Sequence, residues 1–297
     1  MCGVLVGVRF PYRQRLLQKQ LPLAVDTLMT RNPSKIYSYH VANLRELQVA
    51  LDNIARLAKA AIASKDPQQS LRTLLRTYSF LIGAWVECRL KKLLHEEFGF
   101  SPAERAKIEA KSTQLEQWQA TIDCAFRKHH KLPKAKLDAH TLGVSHAARH
   151  AALHDVLQNE LRVLIEIRNK LAHGQWIYPF NNPGTALEKG KYQLINQENL
   201  LSLRFKLALA GHLADAVHDL VVSPVTFERD FDTHFRHLSQ AKINLVKKDY
   251  AKYELSLVES RTKARKSQKS VIPATNKPFH FRNLRPAISK GRQVRTK

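Results

Sequence analysis

The chain has 297 residues, 44% of them hydrophobic, enough to bury a sizeable core in one or two domains. Its formal net charge of +24 points to polyanionic partners, and to nucleic acid before membrane, because no segment joins a Lys/Arg face to a strong Trp/Phe/Leu face. Cys2, Cys88 and Cys124 are scattered and form no Cys-x-x-Cys pair, and no window reaches the apolar length of a membrane span. These features argue against a disulfide framework, a structural zinc site and a membrane protein; the expectation is a cytoplasmic protein without metal or cofactor.

In chain order, the stretch to Arg31 carries Pro11 and Pro22 and offers at most a short helix around Arg13–Gln20. The run Val4–Val8 is too short for a signal peptide. Asn32-Pro33-Ser34 reads as a turn into a helix, in which Tyr37, His40, Leu44, Leu47, Leu51, Ile54, Ala58 and Ala61 alternate three and four apart. Such a seam buries one stripe, and packing within the chain is a better account of it than dimerisation. Asp66, as N-cap, and Pro67 open the next helix, with Leu71, Leu74, Tyr78, Leu81, Trp85 and Cys88 inward, ending by Phe98-Gly99-Phe100. Ser101-Pro102-Ala103-Glu104 is a capping box for a third helix, with Leu115, Trp118, Ile122 and Phe126 buried and an end near Pro133. Lys128, His129, His130, Lys131, Lys134 and Lys136 follow as a basic loop that either touches phosphate backbone or is a solvated connector.

A fourth long helix spans about Val144 to His173. It begins with His146, His150 and His154, four apart on one face, a spacing that can hold a metal. Ala151 stands where a zinc-protease motif would have Glu and no third ligand is assignable, so the row reads as solvated or facing RNA. Further along, Leu153, Leu157, Leu161, Leu164 and Leu171 form an apolar stripe at about 100° per residue, and Arg168 falls within it. A guanidinium costs several kcal/mol to desolvate without partners, so its place there implies a role. Asn169 and His173 are four apart on a neighbouring flank, and Gly174 ends the helix. His173 therefore lies in the last turn, where the negative end of the macrodipole favours a cationic side chain.

After Gly174, Trp176, Tyr178 and Phe180 alternate, one of them placed to stack on a base, although covering the core is their commoner task. Asn181-Asn182-Pro183-Gly184 is a turn and Lys191–Ile195 a short strand. A helix over Asn199–Val222, with Leu203, Leu207, Leu213, Val217 and Leu220 inward, completes a four-helix unit. The last helix runs from Thr226 toward Ser260, opening with Phe227, Phe231, Phe235 and Leu238. From Arg261 onward no Asp or Glu occurs, and a tail beginning with Arg261, Lys263, Arg265 and Lys266 is expected to be disordered until it binds. The fold class is all-α, divided into an N-terminal helical extension (1–65), a helical domain (66–223), a C-terminal amphipathic helix (224–260) and the basic tail (261–297).

Arg168-Asn169-Lys170-Leu171-Ala172-His173-Gly174, at the end of a long amphipathic helix, resembles the HEPN superfamily signature, an arginine, a polar residue and a histidine after four to six intervening positions. The resemblance implies a HEPN-like four-helix bundle and a metal-independent endoribonuclease whose two motifs face each other across a homodimer. Glu87 resembles the acidic position common in first helices of that superfamily; the plainer account is an exposed partner of Lys91. Arg149 to His154 has the same bare spacing but lies mid-helix without a following glycine. In the implied chemistry, the 2′-hydroxyl attacks its own phosphate. His173 moves protons, Arg168 clamps nonbridging oxygens, and Asn169 orients one or the other, leaving 2′,3′-cyclic phosphate and 5′-hydroxyl ends. In one regular helix Arg168 and His173 point about 140° apart, which two facing copies would remedy. Lys128, His129, His130, Lys131, Lys170, Trp176, Arg261, Lys263, Arg265 and Lys266 are the expected RNA contacts. An inhibitory or activating partner, such as the nucleotidyltransferase antidotes of some members, and a toxin or defence role fit the resemblance. The alternatives are a non-catalytic RNA-binding protein, with Arg168 structural and His173 a helix cap, and a partner-recruiting scaffold.

Overall fold

The computed structural model describes residues 34–271 apart from Lys248, and among them every regular element is helical. The helix expected around Arg13–Gln20 and the tail beyond residue 271 lie outside the described residues. None of the described helices is long and apolar enough to cross a membrane.

Helix α1 (Lys35–Ser64) starts at Ser34, whose side chain accepts from the Tyr37 backbone N–H, and its seam packs on α2 (Gln68–Leu94) within the chain. Pro67, not Asp66, occupies the cap position of α2 and no side chain caps it. The stripe read from the sequence is one side of α2 only. Leu75, Ser79, Ile82, Val86, Leu90 and Leu93 are buried too, because α1, α7 and α9 surround this helix.

The third expected helix is two. Helix α3 (Pro102–Glu109) opens with the Ser101–Glu104 capping box, and α4 (Gln114–His129) with a second box, Thr113–Glu116. After α5 (Ala139–Leu142) comes the long helix, built of α6 (Val144–Val156), a π-helical turn (Leu157–Leu161) and α7 (Arg162–Ala172). The wider turn keeps Leu157 and Leu161, four apart, both against the core. The segment read as a strand over Lys191–Ile195 lies in helix α8 (Lys189–Gln197). Only Ile195 of it is buried, seated against Ile167 and Leu171 of α7, so one face suffices and no sheet partner is needed.

Helix α9 (Leu200–Val222), capped by Asn199, packs on α2, α4 and α10. The expected last helix is two, α10 (Pro224–Lys247) and α11 (Tyr250–Val271), with Asp249 outside both. Phe227, Phe231 and Leu238 of α10 are buried, whereas Phe235 is 44% exposed. The basic stretch beginning at Arg261 continues α11 as helix to Val271, a departure from the disordered tail. Arg261 donates to the Ala60 carbonyl (3.1 Å) and to Ser64 Oγ, tying α11 to the end of α1.

Candidate active site

The site begins with a glycine. A Cβ at Gly83 of α2 would come within 2.6 Å of Arg168 Cγ and closer still to its Cβ, distances real Cβ atoms do not show. Glycine therefore lets α2 and α7 touch where Arg168 leaves α7. The guanidinium is not sealed in the apolar stripe, as the sequence suggested. It slides over Gly83, with 26% of the side chain exposed, and reaches Glu87 one turn further along α2. Its other terminal nitrogen donates to Asn169 Oδ1 at 3.0 Å. Its Nε is covered and finds no hydrogen-bond partner among the described residues.

Helix α7 ends in a Schellman motif: Gly174 (φ +73°) donates to Leu171 O at 3.1 Å and Gln175 to Lys170 O at 3.0 Å. His173 is the C-cap residue, one step past the last helical turn. Its imidazole is exposed and makes no side-chain hydrogen bond among the described residues. Arg168 and Asn169 are thus joined directly, while His173 is exposed at the end of the same helix.

The chain after His173 is held firmly. Trp176 Nε1 donates back to Leu171 O at 3.0 Å. Lys170, expected to face RNA, is buried instead; its ammonium bonds the Phe180 carbonyl and pairs with Glu188 at 3.1 Å. Arg76 reaches from α2 to Trp176 O (3.1 Å), Ile195 O (2.5 Å) and Asn196 Oδ1 (3.0 Å). Buried Glu198, 3.9 Å from Arg76, also accepts from Ser79 (3.2 Å) and Lys206 (2.9 Å). A fixed loop thereby carries Ile177, Tyr178, Phe180 and Leu187 outward, each at least 40% exposed.

The remaining basic residues divide. Lys128 donates to the Gly99 carbonyl, and Lys128 and Lys131 line an open groove over α3 and α4 together with Lys107, Lys111 and Arg127 and the carboxylates of Glu104, Glu116 and Asp123. Lys263, Arg265 and Lys266 are exposed on α11. His129 is engaged instead: its Nε2 lies 3.1 Å from Glu228 of α10. His130 stacks on Phe126, and burial followed by the neighbouring His129 and His146 lowers its pKa below the usual histidine value.

The histidine row of α6 is not a solvated face. His146 Nε2 meets Glu228 at 3.0 Å, and the Nε2 atoms of His150 and His154 both converge on Asp123 Oδ1, at 2.8 and 2.9 Å. Burial raises the Asp123 pKa, but the two imidazoles outweigh it and hold the carboxyl well below the usual range.

Sequence reasoning missed Gly83, Arg76, Glu198 and Asp123. A lone glycine inside the helical pattern of α2 was the available sign of a close approach; the other three depend on partners at least 27 residues away. Taken together, fold and site define an all-helical protein with an Arg–Glu–Asn cluster across α2 and α7 and an exposed histidine at the end of α7. The chain matches no family model, no curated protein sequence and no solved structure.

Proposed function

We propose that the chain is a metal-independent endoribonuclease of HEPN type that acts as a homodimer, with Arg168, Asn169 and His173 as its catalytic residues. The four helices such a domain would use are α2, α4, the α6–α7 helix and α9. The observation that carries the reading is the Gly83 contact. It brings Arg168 to the surface beside Asn169 and Glu87, the acidic position the resemblance anticipates, while the helix terminates at His173 and leaves its imidazole open to solvent. An anion-binding guanidinium, an amide and a proton-transfer group then share one end of α7, the components needed to turn a 2′-hydroxyl on its own phosphate.

A second copy supplies what one helix lacks. The fixed loop after His173 presents Ile177, Tyr178, Phe180 and Leu187, and α8 adds Leu194, a set of exposed apolar side chains next to the motif that a twofold interface would cover. The groove in which Lys107, Lys111, Arg127, Lys128 and Lys131 outnumber Glu104, Glu116 and Asp123 would hold RNA backbone through phosphate contacts. That groove also favours a second reading, a non-catalytic RNA-binding protein in which the Arg168–Glu87 pair is structural.

The test is to incubate the purified chain with mixed tRNA and a single-stranded RNA in excess EDTA, beside His173→Ala, and to analyse the fragment ends. Cleavage by the wild type alone, leaving 2′,3′-cyclic phosphate, supports the nuclease. Salt-sensitive binding by both proteins without cleavage supports the second reading.

A further inference from the structure

We propose that Asp123, His150 and His154 form a divalent transition-metal site of the zinc class, joining α4 to α6. The three side chains come from two helices that pack on each other, and their donor atoms lie within 4.8 Å of one another. His150 and His154 are four apart on α6, so their rings lie one above the other with centroids 4.4 Å apart, and both turn Nε2 toward the same carboxylate oxygen. The Nε2–Oδ1 separations, 2.8 and 2.9 Å, are hydrogen-bond lengths that bring the three donor atoms together slightly closer than ligands around an ion. With metal–ligand bonds of about 2.0–2.2 Å in tetrahedral geometry, adjacent ligands stand roughly 3.3–3.6 Å apart, so the trio must spread by about half an ångström to admit an ion.

Phe126 sets the His150 ring edge-on at 5.0 Å, which restricts its rotation. Side-chain exposures of 16% for His150, 23% for His154 and 41% for Asp123 place the trio at the surface, where water would complete the shell. Two imidazoles and one carboxylate suit Zn²⁺, Co²⁺ or Ni²⁺ better than Mg²⁺ or Ca²⁺, which prefer oxygen throughout.

The neighbouring cluster of His129, His130 and His146 is a poorer candidate, although its donor atoms also approach within 4.8 Å. There two of the three imidazoles, His129 and His146, are divided between the two oxygens of Glu228, and the Arg149 guanidinium on the same carboxylate repels a cation. No comparable cation contacts Asp123: its hydrogen-bond partners among the described residues are the two histidines. The proposed ion lies on α4 and α6 and takes no part in the chemistry assigned to α7.

The experiment uses the full chain, stripped with EDTA and exchanged into metal-free buffer. Co²⁺ is titrated with visible absorption as the readout and Zn²⁺ by calorimetry. The expected result is one ion per chain, with Zn²⁺ displacing Co²⁺. Asp123→Asn and His154→Gln should weaken binding by more than about a hundredfold, since even partners outside the ligand shell are worth about 10–100-fold. His129→Gln and His146→Gln should bind as the wild type does. Circular dichroism verifies each fold, and Asp123→Asn keeps an oxygen that accepts from both imidazoles. As a second readout, Zn²⁺ should raise the thermal midpoint of the wild type and leave that of His154→Gln in place. Wild-type binding no stronger than that of a His150→Gln/His154→Gln double variant overturns the site. So does loss of binding in His129→Gln with retention in Asp123→Asn.

Discussion

Replacing Gly83 by alanine tests the contact on which the whole site depends. In the interior of α2, alanine should be the better residue by about 1 kcal/mol, because it restricts the unfolded chain and favours helix. Against this, the added methyl would lie within 2.6 Å of Arg168 Cγ and closer to Cβ. Rotation about χ1 moves Cγ but not Cβ, so the clash can be relieved only by separating α2 from α7. Overpacking of this kind costs about 1–3 kcal/mol, and here the upper part of that range applies because the obstacle is fixed to a helix backbone. The net expectation is a loss of about 1–2 kcal/mol, or a midpoint roughly 2–8 °C lower for a chain of this size. Urea unfolding followed by circular dichroism measures it, with an unchanged m-value showing that the folded and unfolded states keep their compactness. RNA cleavage should fall as well, since Arg168 and Glu87 move with their helices. A Gly83→Ala protein that is more stable than the wild type by about 1 kcal/mol would refute the close approach.

Other outcomes follow from buried and exposed partners. Arg76→Met removes the donor to Trp176 O, Ile195 O and Asn196 while Lys206 still pairs with buried Glu198, and should cost about 1–3 kcal/mol in thermal unfolding. Glu96 is pushed up by burial, but hydrogen bonds from His218 and Lys92 prevail and bring its pKa down to about 2. Its folded-state pKa is depressed, so its stabilisation is complete above the ordinary carboxylate value near 4.5 and is lost as pH falls toward about 2. Glu96→Gln should therefore be less stable than the wild type at neutral pH, with the gap closing across that acid range in urea titrations. His173→Ala, which removes an exposed side chain without hydrogen bonds among the described residues, should change stability by no more than about 0.5 kcal/mol while RNA cleavage disappears.

The helices were legible because burial imposes its period on the sequence. Leu153, Leu157, Leu161, Leu164 and Leu171 are all at most 3% exposed, and the Ser101–Glu104 box forms as written. What escaped were features whose cause is elsewhere in the chain. The break between α3 and α4 is carried by a second capping box at Thr113, masked by continuous apolar spacing on either side. The short apolar run at Ile195 fits strand or helix equally, and α7 decides by offering Ile167 and Leu171 as its seat. Arg168, Asn169 and His173 were singled out from local pattern alone, but the partner of Arg168 lies 81 positions away on α2. Lys170, in the middle of the same motif, looked like a surface cation and is buried because Phe180 and Glu188 return over it.

The role of Glu87 in the proposed chemistry turns on what Arg168 can still do while paired. One terminal nitrogen is engaged by Glu87, the other by Asn169, and Nε is covered. Each terminal nitrogen keeps a second N–H, enough for a nonbridging phosphate oxygen. The carboxylate need not leave for the clamp to form, and Glu87, itself 41% exposed, acts as a positioning residue that selects one orientation of a long, flexible side chain. The pair is too exposed to matter much for folding, about 0–1 kcal/mol. Glu87→Gln, which keeps an acceptor but removes the charge, should therefore leave the thermal midpoint nearly unchanged. It should lower kcat for RNA cleavage by about tenfold, equivalent to about 1.4 kcal/mol of lost transition-state stabilisation, with KM little altered. If Glu87 instead sequesters Arg168, the same variant would cleave faster than the wild type; that outcome would make the ion pair a latch and reject the positioning role.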